Sequence, residues 1–177
     1  MKKITLADKN FRLFIDSSSL NQAITILAER INKDYSERAP LFVCVLNGSF
    51  IFATELIKLF KHNCEVSFVK VSSYEGVSSK GNVKELIGLN ENLSDKDIII
   101  VEDIVDTGAT VSAVTQNISK LNPRSIEVAT MLFKPKAYNN EITIKYKALD
   151  VGNEFLVGFG LDYNGLGRNL NEIYIID

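Results

Sequence analysis

The fold of this chain is decided by residues 98–110, which read IIIVEDIVDTGAT. Four β-branched apolar residues, Ile98 to Val101, open this stretch. Such a run is typical of a strand that is buried on both faces in a parallel sheet covered by helices. Three carboxylates follow at the carboxyl edge of the strand, those of Glu102, Asp103 and Asp106. Because ligands of open parallel sheets bind in the crevice outside the strand ends, these acids are predicted to line a ligand site.

The next four residues, Thr-Gly-Ala-Thr at 107–110, are small or hydroxylated and precede a predicted helix. The apolar positions of that helix are Val111, Val114, Ile118 and Leu121. Backbone N–H groups at a helix start and two threonine hydroxyls can hold a phosphate dianion, and Gly108 lets the backbone approach it closely. No lysine of the kind used by a nucleotide P-loop lies nearby, so the acids favour a phosphorylated sugar over phosphoryl transfer.

The bulk composition is that of an ordinary globular protein. The 177 residues are 46% apolar and 24% charged, which predicts one domain spanning residues 1–177 with a substantial core. A net charge of −2 gives no general reason to expect a nucleic-acid partner. The N-terminus lacks the apolar stretch of a signal peptide, and no run of about 18 apolar residues exists. A cytoplasmic location and no membrane partner are therefore expected.

Two cysteines and one histidine supply no metal cluster or nucleophilic couple. Cys44 lies inside an apolar run and Cys64 stands at the start of another strand, so both are interpreted as reduced thiols in or near the core. A single histidine, His62, is too few for a zinc site and is interpreted as a surface residue at a helix end.

Strands and helices alternate along the chain. Ser19 to Gln22 has the pattern of a capping box, and apolar residues then mark one face of a helix to about Asp34. Further elements are predicted as a strand at 41–46, a helix from 50 to about 61, a strand at 65–72, a polar mobile loop at about 72–84 and a strand at 126–133. This βα order predicts an α/β fold with a doubly wound, mostly parallel sheet flanked by helices.

Residues 101–110 resemble the phosphoribosyl pyrophosphate signature of the type I phosphoribosyltransferases, in their hypoxanthine/guanine branch. The resemblance covers most of residues 10–177. It implies the fold of that family, with a small hood formed by the N- and C-terminal segments. It also implies transfer of a phosphoribosyl group from phosphoribosyl pyrophosphate to hypoxanthine or guanine, giving IMP or GMP. Magnesium is the implied cofactor, and a homodimer or homotetramer is the implied assembly.

The resemblance assigns roles to the acids and the phosphate loop. Glu102 and Asp103 match the paired acids that hold the ribose hydroxyls and help to organise magnesium. Asp106 matches the general acid/base that takes the proton from N7 of the purine. Thr107, Gly108, Ala109 and Thr110 match the loop that binds the ribose phosphate. Taken alone, an aspartate before Thr-Gly is more typical of a helix N-cap, and only the full ten-residue motif favours the catalytic role.

Two segments match the family's pyrophosphate site. Leu46, Asn47 and Gly48 match a loop in which a non-proline cis peptide bond turns a backbone N–H toward the leaving group. Many relatives carry lysine where this chain has Asn47, so backbone donors are expected to bind here; a simple βα turn is the alternative interpretation. Arg168 matches the arginine that grips pyrophosphate, although the aromatic residue that commonly precedes it is missing.

The purine site is implied by residues after the central strand. Lys134 matches the lysine that donates to the 6-oxo oxygen, which disfavours adenine because its amino group would face a donor. Phe155 matches the ring that stacks on the purine, and Leu156 the position whose backbone meets the base edge. Asp162 matches an aspartate beside the purine that binds a second magnesium. In isolation, such a lysine is usually solvated and such a phenylalanine usually belongs to a core.

A lid and three competing functions complete the sequence-based hypotheses. Ser73 and Tyr74 match the pair on a lid that excludes water, with an ordinary surface loop as the alternative. Because fold does not determine function, a non-catalytic regulator that senses nucleotides on the same fold stays open. So do a xanthine-preferring transferase and one specific for hypoxanthine.

Overall fold

The computed structural model describes residues 2–72, 84–87 and 92–177, which form two β-sheets and three helices. The larger sheet has the strand order β5-β4-β3-β6-β7-β8. Its strands are β3 (Leu41–Leu46), β4 (Glu65–Ser72), β5 (Lys84–Ile87), β6 (Asp97–Val105), β7 (Ser125–Phe133) and β8 (Tyr146–Asp150). Five of them run parallel and only β5 is antiparallel, as the predicted mostly parallel sheet requires.

Helices cover both faces of this sheet, which explains the uninterrupted apolar run of β6. Side chains of Ile99 and Val101 pack with helices α1 (Ser17–Asp34) and α2 (Phe50–Leu59) on one face. Ile98 and Ile100 pack with helix α3 (Ala109–Ser119) on the other. All four side chains are fully buried. Each contributes about 1.5–3 kcal/mol of hydrophobic free energy, so this strand anchors both halves of the core.

The smaller sheet is the predicted hood. Its antiparallel strands have the order β1-β2-β10-β9, with bounds β1 (Lys3–Leu6), β2 (Lys9–Ile15), β9 (Leu156–Val157) and β10 (Ile173–Ile176). Phe11, Val157 and Tyr174 form its own buried core. The hood therefore joins the two ends of the chain, as the resemblance implied.

Three sequence-based details were wrong or incomplete. Helix α1 begins at Ser17 rather than at a Ser19–Gln22 capping box, because the carboxylate of Asp16 accepts the N–H of Ser19 at 2.8 Å. Helix α2 ends at Leu59, two residues before the predicted Lys61. The short strand β5 was not predicted, and it pairs with β4 so that Ser72 and Lys84 are partners.

The predicted lid lies almost entirely outside the described residues, including Ser73 and Tyr74. The extent of the lid and the single-domain organisation of residues 1–177 therefore stay predictions. Among the described residues, no helix combines the length and apolar character needed to cross a membrane.

Candidate active site

Three neighbouring parallel strands end at one edge of the large sheet and bring the predicted residues together. Asn47 follows β3, the carboxylates belong to the end of β6 and the residue after it, and Lys134 follows β7. The register of β6 and β7 pairs Val105 with Phe133, and the N–H of Lys134 donates to the carbonyl of Val105 at 3.0 Å. This edge is where ligands of such sheets bind.

Glu102 and Asp103 form a buried acid pair within the C-terminal half of β6, and not after its end. Only 8% of Glu102 and 6% of Asp103 is exposed. Burial raises the pKa of Glu102 well above its ordinary value, and the negative charge of Asp103 raises it further. Burial also raises the pKa of Asp103, although the N–H of Ile104 and the charge of Arg168 act in the opposite direction.

One oxygen of this pair lacks any partner among the described residues. Oε2 of Glu102 is buried without a hydrogen bond, whereas Oδ1 of Asp103 accepts the N–H of Ile104 at 2.9 Å. Two buried carboxylates without a cation are costly, and a bound metal ion would offset that cost. The described residues contain no group of three or more metal-ligating side chains. Magnesium is typically held by one or two carboxylates together with substrate phosphates and water, so the pair fits this ion.

The loop after β3 packs directly against the acid pair. The Leu46–Asn47 peptide bond is cis, as the resemblance implied. A Cβ on Gly48 would lie 1.7 Å from Oδ2 of Asp103, so no side chain fits at that position. The hydroxyl of Ser49, a residue not assigned a role from sequence, is fully buried without a partner in the described chain. The backbone of this loop can therefore approach whatever the acids hold.

The predicted phosphate loop lies at the start of α3. Gly108 is the N-cap of the helix with φ +88°, and it provides no side-chain cap. The N–H of Ala109 donates to Oγ1 of Thr107 at 3.4 Å, and the N–H groups that follow it in the first turn are the ones that a helix start offers to an anion. A Cβ on Gly108 would lie 2.5 Å from the ring of Tyr138, so no side chain fits there. The N–H of Asn139 donates to the carbonyl of Thr107.

A cavity of about 280 Å³ borders this loop and has a polar lining. The lining residues are Thr107, Ala109, Ser112, Ala113, Gln116, Asn139 and Asn140. A larger cavity of about 640 Å³ lies further along α3 and contacts none of the predicted site residues. We therefore associate the phosphate loop with the smaller cavity.

Asp106 and Lys134 form an ion pair at the centre of the strand edge. Nζ of Lys134 lies 2.8 Å from Oδ2 of Asp106. The lysine side chain is 10% exposed and the aspartate side chain 48%. The N-cap alternative for Asp106 does not hold, because Gly108 caps α3. Lys134 is likewise not a solvated lysine, because its side chain is largely buried and paired with Asp106.

Arg168 makes two contacts within the segment between β9 and β10, called the hood loop, which approaches the loop after β3. Its Nη1 donates to the carbonyl of Gly160 at 2.7 Å, and its Nη2 lies 2.5 Å from Oδ1 of Asp162. A Cβ on Gly160 would lie 2.0 Å from the carbonyl oxygen of Gly48, so the two loops are in backbone contact. The other oxygen of Asp162 accepts the N–H of Gly165 at 2.7 Å. Both carboxylate oxygens of Asp162 are thus engaged within the hood loop.

Phe155 and Leu156 lie where the chain leaves β8 of the large sheet and enters the hood at β9. The N–H of Val151 donates to the carbonyl of Phe133, the residue before Lys134, at 2.8 Å. Phe155 is 47% exposed, and Leu156 is buried in β9. The ring of Phe155 contacts Tyr163 edge to face, with centroids 5.9 Å apart. Phe155 therefore does not belong to the core, which was the alternative interpretation of its sequence context.

Contacts by Tyr138, Gly160 and Tyr163 were not anticipated from the sequence. Tyr138 contacts Gly108, Gly160 contacts Gly48 and Tyr163 contacts Phe155. No local sequence pattern marks any of these three contacts.

The comparison with protein families agrees with the fold and the strand edge described above. A family model described as the phosphoribosyl transferase domain matches residues 16–164. The chain belongs to the phosphoribosyltransferase family of enzymes, in its hypoxanthine-guanine branch.

Individual relatives support the assignment to that branch. A hypoxanthine-guanine phosphoribosyltransferase of Streptococcus pyogenes serotype M3 is 41% identical over 151 residues, which cover 85% of this chain and 84% of that protein. The enzyme of the same name from Mycobacterium bovis is 36% identical over 172 residues, covering 93% of this chain and 85% of that protein. A crystal structure of a hypoxanthine phosphoribosyltransferase from Staphylococcus aureus has a TM-score of 0.89 at 32% identity, covering 94% of this chain and 91% of that chain. The resemblance seen in residues 101–110 is confirmed.

Proposed function

We propose that this enzyme moves the 5-phosphoribosyl group from phosphoribosyl pyrophosphate to N9 of hypoxanthine or guanine. The products are IMP or GMP and pyrophosphate, a purine salvage reaction. The observation that carries the proposal is the Asp106–Lys134 pair at 2.8 Å. This contact supports the proposal because the residue proposed to accept the proton and the residue proposed to read the purine are adjacent.

Lys134 and Asp106 act on the base. The Lys134 ammonium donates to the 6-oxo oxygen of an oxopurine, which is an acceptor. Adenine presents an amino group there, so two donors would face each other, at a cost of roughly 1–3 kcal/mol for each unpaired group. Asp106 accepts the proton from N7 as N9 bonds to C1 of the ribose. Phe155 stacks on the purine and the backbone of Leu156 meets its edge.

The sugar and the leaving group are bound by the remaining residues. Glu102 and Asp103 hold the ribose hydroxyls and a magnesium ion, which when bound neutralises the charge of the leaving pyrophosphate. Residues 107–110 hold the 5-phosphate at the start of α3. Leu46, Asn47 and Gly48 supply backbone donors to pyrophosphate, and Arg168 adds a cation from the hood loop. Asp162, now paired with Arg168, would contribute to a second magnesium site beside the purine.

The test is ultraviolet-monitored turnover of hypoxanthine, guanine, xanthine and adenine with phosphoribosyl pyrophosphate, in the presence and absence of magnesium. We expect magnesium-dependent turnover of oxopurines and rejection of adenine. Asp106→Asn should lower kcat by about 10²- to 10⁴-fold, the usual contribution of a general acid/base. Asp95→Asn is the matched control, because this exposed aspartate precedes β6 at the opposite end of the sheet.

Tight binding of nucleotide without turnover of any purine would favour the regulator instead. Relative rates with xanthine and guanine would distinguish the narrower transferases. The proposed homodimer or homotetramer rests on the resemblance, and light scattering after size-exclusion chromatography would test it.

A further inference from the structure

The ring of Phe155 stands at the edge of the hood with half of its surface exposed. Its proposed role is to stack on the purine, which requires one defined ring orientation. Immobilising a free side chain on binding costs conformational entropy. A neighbour that already holds the ring in place would therefore improve binding of the base.

Tyr163 is that neighbour. The two rings meet edge to face, with centroids 5.9 Å apart and an interplanar angle of 85°. An edge-to-face contact occupies at most one face of each ring, so at least one face of Phe155 is left uncovered by Tyr163. The contact thus restricts the ring of Phe155 without covering both of its stacking surfaces.

Tyr163 is itself held by three separate contacts. Its ring lies 5.8 Å from the ring of Phe11, which is fully buried in the hood core. Its backbone N–H and carbonyl exchange hydrogen bonds with Leu166 at 2.9 and 3.0 Å. Its hydroxyl donates to Oδ1 of Asp8, in the turn between β1 and β2, at 2.8 Å.

The hydrogen bond between Tyr163 and Asp8 joins a protonated phenol to a carboxylate at neutral pH. It raises the pKa of Tyr163 and lowers that of Asp8. A hydrogen bond with one charged partner is stronger than a neutral one. Asp8 is therefore well suited to keep the phenol ring from rotating away from Phe155.

We propose that Tyr163 is a positioning residue that orients Phe155 for stacking on the purine, and that Asp8 fixes Tyr163 in turn. The proposal rests on the proposed function, because it concerns the purine site of that reaction. Tyr163 acts only through Phe155, so its removal affects purine binding and leaves the other substrate unaffected.

The test is a double-mutant cycle of Phe155→Leu and Tyr163→Leu, read as KM for hypoxanthine, KM for phosphoribosyl pyrophosphate and kcat. An edge-to-face pair predicts that Tyr163→Leu raises KM for hypoxanthine about two- to tenfold. KM for phosphoribosyl pyrophosphate should stay within about twofold of wild type. In the double variant KM for hypoxanthine should equal that of Phe155→Leu alone, because Tyr163 has nothing left to orient.

Two conservative variants and a control separate positioning from folding. Tyr163→Phe retains the ring but loses the hydrogen bond to Asp8, and Asp8→Asn weakens the same hydrogen bond. Each of these two variants should raise KM for hypoxanthine, but by less than Tyr163→Leu does. Tyr174→Phe is the control, because it loses a comparable bond to Glu172, of 2.6 Å, in the same small sheet. It should leave both KM values unchanged.

The proposal is overturned if the increases in KM for hypoxanthine of the two single variants multiply in the double variant. It is also overturned if Tyr163→Leu raises KM for hypoxanthine and KM for phosphoribosyl pyrophosphate equally. An unchanged KM for hypoxanthine in Tyr163→Leu would also overturn it. Failure of the wild-type protein to turn over any oxopurine would instead refute the proposed function, so the two failures are distinguishable.

Discussion

Gly48→Ala introduces the smallest possible side chain where the structure has no room for one. The new Cβ would lie 1.7 Å from Oδ2 and 2.5 Å from Cγ of Asp103. Oδ2 would have to retreat by roughly 1.7 Å or more to reach an ordinary van der Waals separation. Asp103 is 6% exposed and belongs to a central strand, so it cannot swing into solvent. Either the carboxylate or the pyrophosphate loop must move.

The expected loss follows from that displacement. A misplacement of about 1 Å in a positioning group costs about 10²-fold in rate. We therefore expect kcat/KM for phosphoribosyl pyrophosphate to fall about 100-fold or more in Gly48→Ala. The assay varies phosphoribosyl pyrophosphate at saturating hypoxanthine and magnesium, with a thermal melt to show that the variant is folded.

Gly152→Ala is the matched control. Its Cβ would lie 2.1 Å from Oε2 of Glu154, a clash with a carboxylate of the same kind. Glu154 is exposed, so its flexible side chain can rotate away at little cost. We expect near wild-type kcat/KM. A Gly48→Ala variant within about threefold of wild type, or an equal loss in Gly152→Ala, would refute the argument that the buried acid and the loop depend on close contact.

Two further predictions concern stability. Glu102→Gln should raise Tm of the ligand-free protein while abolishing most activity, because it removes the charge of a buried carboxylate whose Oε2 has no hydrogen bond among the described residues. The pKa of Glu102 is higher in the folded protein than in the unfolded chain. At a pH below the pKa of the unfolded chain, the carboxyl is protonated in both states and costs no stability. As pH rises from that value toward the pKa of the folded protein, the unfolded chain ionises first and the cost to folding grows. The gain in Glu102→Gln should therefore be larger at pH 8 than at pH 4, and a pH-independent gain, or the same gain in the exposed Glu141→Gln, would contradict it. Asp16→Ala should lower the free energy of unfolding by about 1 kcal/mol through loss of the N-cap bond to Ser19 at 2.8 Å. Urea denaturation would measure the free energy of unfolding of Asp16→Ala, with Asp95→Asn as the control. A loss of activity that exceeds the loss of folded protein would show that Asp16 does more than cap α1.

The helix start at Asp16 illustrates where local patterns lose precision. Ser19 and Gln22 satisfy a capping-box pattern, but Asp16 also has the right chemistry, and the choice depends on where the chain leaves β2. Strand β5 is a similar case, because four residues beside a polar segment form a strand only when the edge of β4 is available. Both outcomes depend on neighbours that are not adjacent in sequence.

The sequence by itself determined the class of fold and the position of three acids and a helix start at the end of one strand. The apolar run of Ile98 to Val101 requires burial on both faces of the sheet. Because the acids and the predicted phosphate loop follow this strand directly in the sequence, the position of the strand also fixes theirs. Lys134 and Phe155 were found only through the family resemblance, because their local contexts predict a solvated lysine and a core phenylalanine.

Tertiary structure decided which of these residues meet. Asp106 and Lys134 are 28 residues apart and Tyr163 and Asp8 are 155 apart, yet both pairs are within hydrogen-bond distance. The contacts of Gly48 with Asp103 and with Gly160 are of the same kind. No periodicity in a sequence encodes such contacts, because they result from packing strands and hood loops whose relative positions are set by the whole core.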